Sequence, residues 1–263
     1  MKRFAILGVL AGLGFVDARP QEVDRKGVAT APESPGLAGS IAGRVVWKGE
    51  HPKPLPPLKV AEAASNGCHT GDGGAVDATD RSLLIGEDGG IAGVVVTVAV
   101  PDRKPKPLEG TFDVDQRGCR YEPHVSVVPV GTTVRFLNSD ETNHNVHVYA
   151  RKNKAPNTNI AGGGSVKLET SAAETISVRC DIHPWMSAHV VVTEHPVYAV
   201  TAADGSFELP GLPAGDYEVR YWHEKLGKGK SASVHVTDGP ATLTIDLDAA
   251  SGGKKSGRAR SRR

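Results

Sequence analysis

The segment Cys180-Asp-Ile-His183-Pro-Trp-Met186 places a thiol, an imidazole and a thioether within seven residues. A second source of imidazole lies upstream, in Asn143-His144-Asn145-Val146-His147. A soft thiolate, two imidazoles and one weak axial thioether are the ligand set of a mononuclear electron-transfer copper site. Taken singly, these residues say little: a Cys at a strand end is most often a small buried hydrophobe, and a Met most often packs. Taken together at this spacing, His144, Cys180, His183 and Met186 are the candidate metal ligands. His147 is set aside, because in an extended strand it faces away from His144. His124, His189, His195 and His223 read as packed or exposed histidines rather than ligands.

Such a site needs rigid strands on both sides. Glu174-Thr-Ile-Ser-Val-Arg179 and Ala188-His-Val-Val-Val-Thr193 bracket the ligand loop, and His144 opens the run Val146-His-Val-Tyr149. Other β-branched runs are Ile41 to Trp47, Ile91 to Val100, Val125 to Val130, Thr133 to Leu137 and Ser165 to Glu169. Further runs follow at Tyr198 to Thr201, Ser206 to Leu209, Tyr217 to Trp222, Ala232 to Val236 and Ala241 to Leu247. The 31 glycines and 18 prolines punctuate them. No window keeps a helical period with caps, so the expected fold class is all-β, built as sandwiches.

Asn143-His-Asn-Val-His147 followed by Cys180-Asp-Ile-His-Pro-Trp-Met186 resembles the cupredoxin family, in its amicyanin-type branch, whose ligand loops read Cys-x2-His-Pro-aromatic-Met. The turn Pro129-Val-Gly131 and the run Thr133 to Asn138 resemble the strand that precedes the family's first ligand His. The likeness spans residues 112–194. It implies one type 1 copper held by His144, Cys180, His183 and Met186, with Asn145 tying the two ligand segments together. It also implies that an electron leaves by the edge of His183, beside an apolar patch of Pro184 and Trp185. One position departs from the family: Asp181 stands where Ser or Thr usually follows the ligand Cys, and its carboxylate either biases the metal toward Cu(II) or points away.

With Cys180 kept as a thiolate, Cys68 and Cys119 remain. In an exported, oxidising setting they are expected to pair, the alternative being two separate thiols. Cys68-His69 is not a covalent haem site, because position 65 is Ser and not Cys.

Thr201 to Leu209 and Leu212-Pro-Ala-Gly-Asp-Tyr-x-Val219 resemble the carboxypeptidase regulatory-like domain, a transthyretin-like sandwich, with Asp204-Gly205 as a hairpin turn. Gly43-Arg-Val-Val-Trp-Lys-Gly49 resembles the opening of the same module. The expected organisation is therefore a sandwich in two parts, residues 40–105 and 195–248, with the cupredoxin region inserted in it or adjacent to it.

The termini differ from the body. Residues 1–18 read as a cleaved export signal, the alternative being a retained N-terminal anchor: two basic residues, an apolar run too short and Gly-rich to span a bilayer comfortably, then Val-Asp-Ala. Residues 19–39 read as a disordered lead, and 249–263 as a basic disordered tail. The whole chain carries +1; residues 1–18 carry +1 and the tail +6, which leaves −6 on residues 19–248. No nucleic-acid partner is expected; the tail reads as a solvated end, the alternative being attachment to an anionic surface or partner.

The expected function is that of an exported one-electron carrier between redox proteins, with no catalytic residues and no cofactor besides copper. The resemblance implies amine oxidation as one setting. The alternative is copper delivery, or a cell-surface binding module that uses the fold as scaffold. A multicopper enzyme is disfavoured, because the His-x-His pairs of such a cluster are missing.

Overall fold

The structure, a computed structural model, describes residues 39–60, 67–68 and 75–251. The expected export signal, all but the last residue of the lead, His69, and the tail from residue 252 lie outside the described residues.

Every regular element described is a strand. They are β1 (Gly39–Trp47), β2 (Val95–Val98), β3 (Thr111–Gln116), β4 (Tyr121–Glu122), β5 (Val125–Pro129), β6 (Thr133–Asn138), β7 (His144–Tyr149) and β8 (Asn157–Ile160). They continue as β9 (Ser165–Glu169), β10 (Glu174–Arg179), β11 (Ser187–Thr193), β12 (Val197–Val200), β13 (Ser206–Leu212), β14 (Gly215–His223), β15 (Gly227–Val236) and β16 (Pro240–Leu247). The fold is all-β, arranged as four sheets.

Two sheets, β5-β11-β10-β7-β8 and β4-β3-β6-β9, enclose one core. The period-2 pattern explains it. Along β6, Val134, Phe136 and Asn138 are buried while Thr133, Arg135 and Leu137 are partly exposed. Val146, Val148, Ile176, Val178, Val190 and Val192 fill the opposite wall.

The other two sheets, β13-β1-β16 and β12-β2-β14-β15, enclose a second core that includes Ile41, Val45, Val96, Val98, Leu209, Val219 and Ile245. β1 pairs antiparallel with β13 and parallel with β16, so segments from the two ends of the described chain share one sheet. The turn into β13 relies on Gly205 (φ 76°), where a Cβ would meet the Val45 carbonyl at 2.3 Å.

Between the two sandwiches lies a small apolar cluster of Val95, Val125, Val127, Tyr198 and Val200. It accounts for the unbroken apolar run around β2. Val96 and Val98 face one core while Val95 faces the junction, so both faces of the strand are covered and even Thr97 is buried. Each buried Val contributes roughly 1.5–3 kcal/mol relative to exposure. The strand itself is shorter than the run, because Ile91 makes an isolated bridge to Ile85 and Val100 another to Arg103.

Candidate metal centre

His144, the first residue of β7, and Cys180, which follows the last residue of β10, lie at the same end of two paired strands. The loop from Cys180 to Met186 is tight: Met186 N–H donates to the His183 carbonyl at 2.9 Å, and Cys180 N–H to the Met186 carbonyl at 3.2 Å. His183 is thereby folded inward and is only 2% exposed.

The donor atoms of His144, Cys180 and His183 all lie within 4.8 Å of one another, and all three residues are buried. His144 Nδ1 is 2.9 Å from His183 Nδ1, and Cys180 Sγ is 3.7 Å from His183 Nδ1. Met186 is buried at the end of the same loop.

The tautomer of His144 follows from its surroundings. Its Nε2 is 2.7 Å from Asp140 Oδ2, and a carboxylate can only accept, so Nε2 carries the proton. Nδ1, the other ring nitrogen, is directed at His183. Asp140 also accepts the amide N–H groups of Gly118 (2.6 Å) and Cys119 (2.8 Å). Burial pushes its carboxyl up, but the bonds from His144 and these amides outweigh that and hold it below the usual range. Burial likewise lowers His144, and Asp140 and Cys180 more than reverse it.

Burial would raise the Cys180 thiol, yet hydrogen bonds from His144, His183 and the Asn145 amide bring it down to about 6. The thiolate is therefore the prevailing form at neutral pH. Asn145 links the two ligand segments: its N–H is 3.4 Å from Cys180 Sγ, and its Oδ1 accepts the Asp181 N–H at 3.1 Å. Asp181 turns its carboxylate outward, to His147 Nδ1 and Asn157 Nδ2, each at 3.0 Å. Its charge thus points away from the thiolate.

Cys68 and Cys119 form a disulfide. It lies against the outer edges of both imidazoles, with Cys68 Sγ 3.8 Å from His183 Nε2 and Cys119 Sγ 3.8 Å from His144 Nε2. This differs from the expected open edge at His183. Trp185 is also turned in (8% exposed), donating its indole N–H to the Cys119 carbonyl at 3.2 Å, so only Pro184 of the expected patch is exposed. Two other convergent groups, Cys68/Cys119/His183 and Cys119/Asp140/His144, draw on these bridged sulfurs. Among the described groups, the set containing Cys180 is the one that offers a thiolate.

Several contributors escaped the sequence reading. Asp140 sits in a turn with no signature beyond its Asp, four residues before His144. Tyr121 donates its hydroxyl to the Asn145 carbonyl at 2.8 Å, and burial raises its phenol strongly. Gln116 reaches the same carbonyl at 3.3 Å.

No protein-family model and no curated protein matches this chain. Among solved structures, a Cu-containing nitrite reductase (NirK) from Thermus scotoductus SA-01 is 27% identical over 37% of this chain, with a TM-score of 0.31; the match covers 25% of that chain. A purple cupredoxin from Nitrosopumilus maritimus is 22% identical over 31% of this chain and 98% of its own, with a TM-score of 0.28. A mutant amicyanin in its Cu(I) form is 27% identical over 37% of this chain and 99% of its own, with a TM-score of 0.29. These neighbours are cupredoxins, and the likeness extends over part of the chain.

Proposed function

We propose that this protein is an exported type 1 copper protein that carries single electrons between redox partners, with His144, Cys180, His183 and Met186 as the metal ligands. One observation carries the reading: two imidazole Nδ1 atoms and one low-pKa thiolate converge in a buried pocket, with His144 Nδ1 and His183 Nδ1 only 2.9 Å apart. Two ring nitrogens this close need a proton or a cation between them, and a thiolate with two imidazoles and a neighbouring thioether is a donor set that suits copper. A copper ion held there supplies a one-electron couple.

The chain's own residues do the rest. Asp140 fixes the ring of His144, Asn145 fixes the thiolate, and burial of all four candidate ligand side chains keeps them from bulk solvent. The disulfide over both imidazoles favours a carrier over copper delivery, since handing metal to a partner needs ligand edges that the partner can reach. Electron exchange needs only proximity, and exposed Pro184 stands next to His183. The disulfide and the residue pattern of positions 1–18 support export.

The test is to add Cu(II) to the purified protein. Intense visible absorption from thiolate-to-copper charge transfer should saturate at one equivalent and vanish in Cys180→Ala. A colourless protein, or colour that survives that substitution, ends the reading.

A further inference from the structure

A second polar cluster sits where the two sandwiches meet. His124, between β4 and β5, directs Nδ1 to the carbonyl of Ser187 at 2.9 Å and Nε2 to Glu224 Oε1 at 2.5 Å. His189 on β11 places Nε2 3.3 Å from the other carboxylate oxygen. Glu224 belongs to the turn between β14 and β15, so it comes from the opposite sandwich. All three side chains are largely buried.

A carbonyl and a carboxylate are both acceptors, so His124 meets each of them through a ring N–H. Glu224 is the charged partner in this pair, and hydrogen bonds to a charged group are the stronger kind. The turn that presents Glu224 is itself braced. Buried His223 accepts the Lys225 and Leu226 N–H groups on Nδ1 at 3.2 and 3.3 Å. His124 also accepts the His189 N–H on its own carbonyl at 2.8 Å, which locks it to β11.

Ser187 directly follows Met186. The Met186 carbonyl accepts the Cys180 N–H, so the end of the loop is held from both sides. We propose that Glu224 and His124 are positioning residues for the metal centre: through the Ser187 carbonyl they fix where Met186 sits, and they make the second sandwich part of the site. The proposal rests on Met186 being one of the residues that would hold the metal. It gives the second sandwich a task, namely delivering one carboxylate.

Glu224→Gln keeps the shape and removes the charge, so His124 loses its charged partner. In the copper-loaded protein it should shift the reduction potential and the ratio of the visible charge-transfer bands, with one copper per chain retained. His189→Phe, which leaves the chain from Glu224 to Ser187 intact, should move neither. A second readout needs no metal. Apart from Met1, Met186 is the only methionine of the chain's 2, so its methyl carbon–proton signal is unambiguous. That signal should shift in metal-free Glu224→Gln and not in His189→Phe. An unmoved methyl signal in Glu224→Gln overturns the proposal, whether or not copper binds. A shifted methyl signal without blue colour in the wild type instead overturns the copper reading and leaves the coupling standing. Should Glu224→Gln fail to fold, His124→Gln, which removes the ring that links Glu224 to Ser187, answers the same question by the same methyl signal.

Discussion

Asp140 accepts a hydrogen bond from His144 Nε2 at 2.7 Å, and both side chains are buried. The carboxylate serves three donors at once, which an amide cannot do with a single oxygen. Asp140→Asn should therefore weaken copper binding roughly 10–100-fold, as loss of a partner that orients a ligand commonly does. Competition against a chelator of known affinity measures it. Unchanged affinity would show that the tautomer of His144 is set elsewhere.

Asp181→Ser should leave the visible spectrum and potential of the copper form unaltered. The carboxylate is exposed and bonded to His147 and Asn157, away from Cys180. A shift comparable to that of Glu224→Gln would mean that its charge does reach the metal.

Replacing both bridge cysteines, Cys68→Ser with Cys119→Ser, removes a cross-link across 51 residues. On a chain-entropy basis this should lower stability by about 4 kcal/mol. Denaturant titration reads it. The same variant uncovers the Nε2 edges of His144 and His183, so electron exchange with small soluble complexes should accelerate. An unchanged exchange rate would show that the sulfurs do not shield the site.

Acid should destabilise the junction in a defined window. Burial holds His223 down at about 4, from an ordinary value of 6.5. Above pH 6.5 both folded and unfolded forms are neutral and the contribution to stability is full. As pH falls from 6.5 to about 4, the unfolded chain takes up the proton first, so stability drops by about 3 kcal/mol. Glu224 is pushed up by burial and pulled down further by His124 and His189, to about 2, so its loss follows at lower pH, between 4.5 and about 2. Measured against pH, His223→Gln should flatten the upper window and spare the lower one.

The all-β class was legible because alternation along strands such as β6 and β16 is strict. Strand β8 was not, since Asn157-Thr-Asn-Ile160 is short and half Asn, a residue strands disfavour; it forms because the exposed edge of β7 supplies four paired positions. β3 escaped notice for a similar reason, its Asp113, Asp115 and Gln116 masking Val114. At the site, residue type and spacing picked out His144, Cys180 and His183, which the fold brings together, and Met186, which it buries alongside. Asp140, His124 and Glu224 could not be found that way. Their partners are set by which strands meet, and Glu224 is 100 residues from His124 in sequence.

The parallel pairing of β1 with β16 has a further consequence for how the molecule is made. Ser40 lies opposite Pro240 and Trp47 opposite Leu247, whereas every strand of the sheets around the candidate metal centre falls between Thr111 and Thr193. During synthesis the first strand must wait for nearly the whole chain to emerge before its sheet can close. The central strands meet their partners much earlier, and contacts of shorter reach form faster. The loop from Cys180 to Met186 would then be assembled before Glu224, the carboxylate proposed to brace it, has emerged.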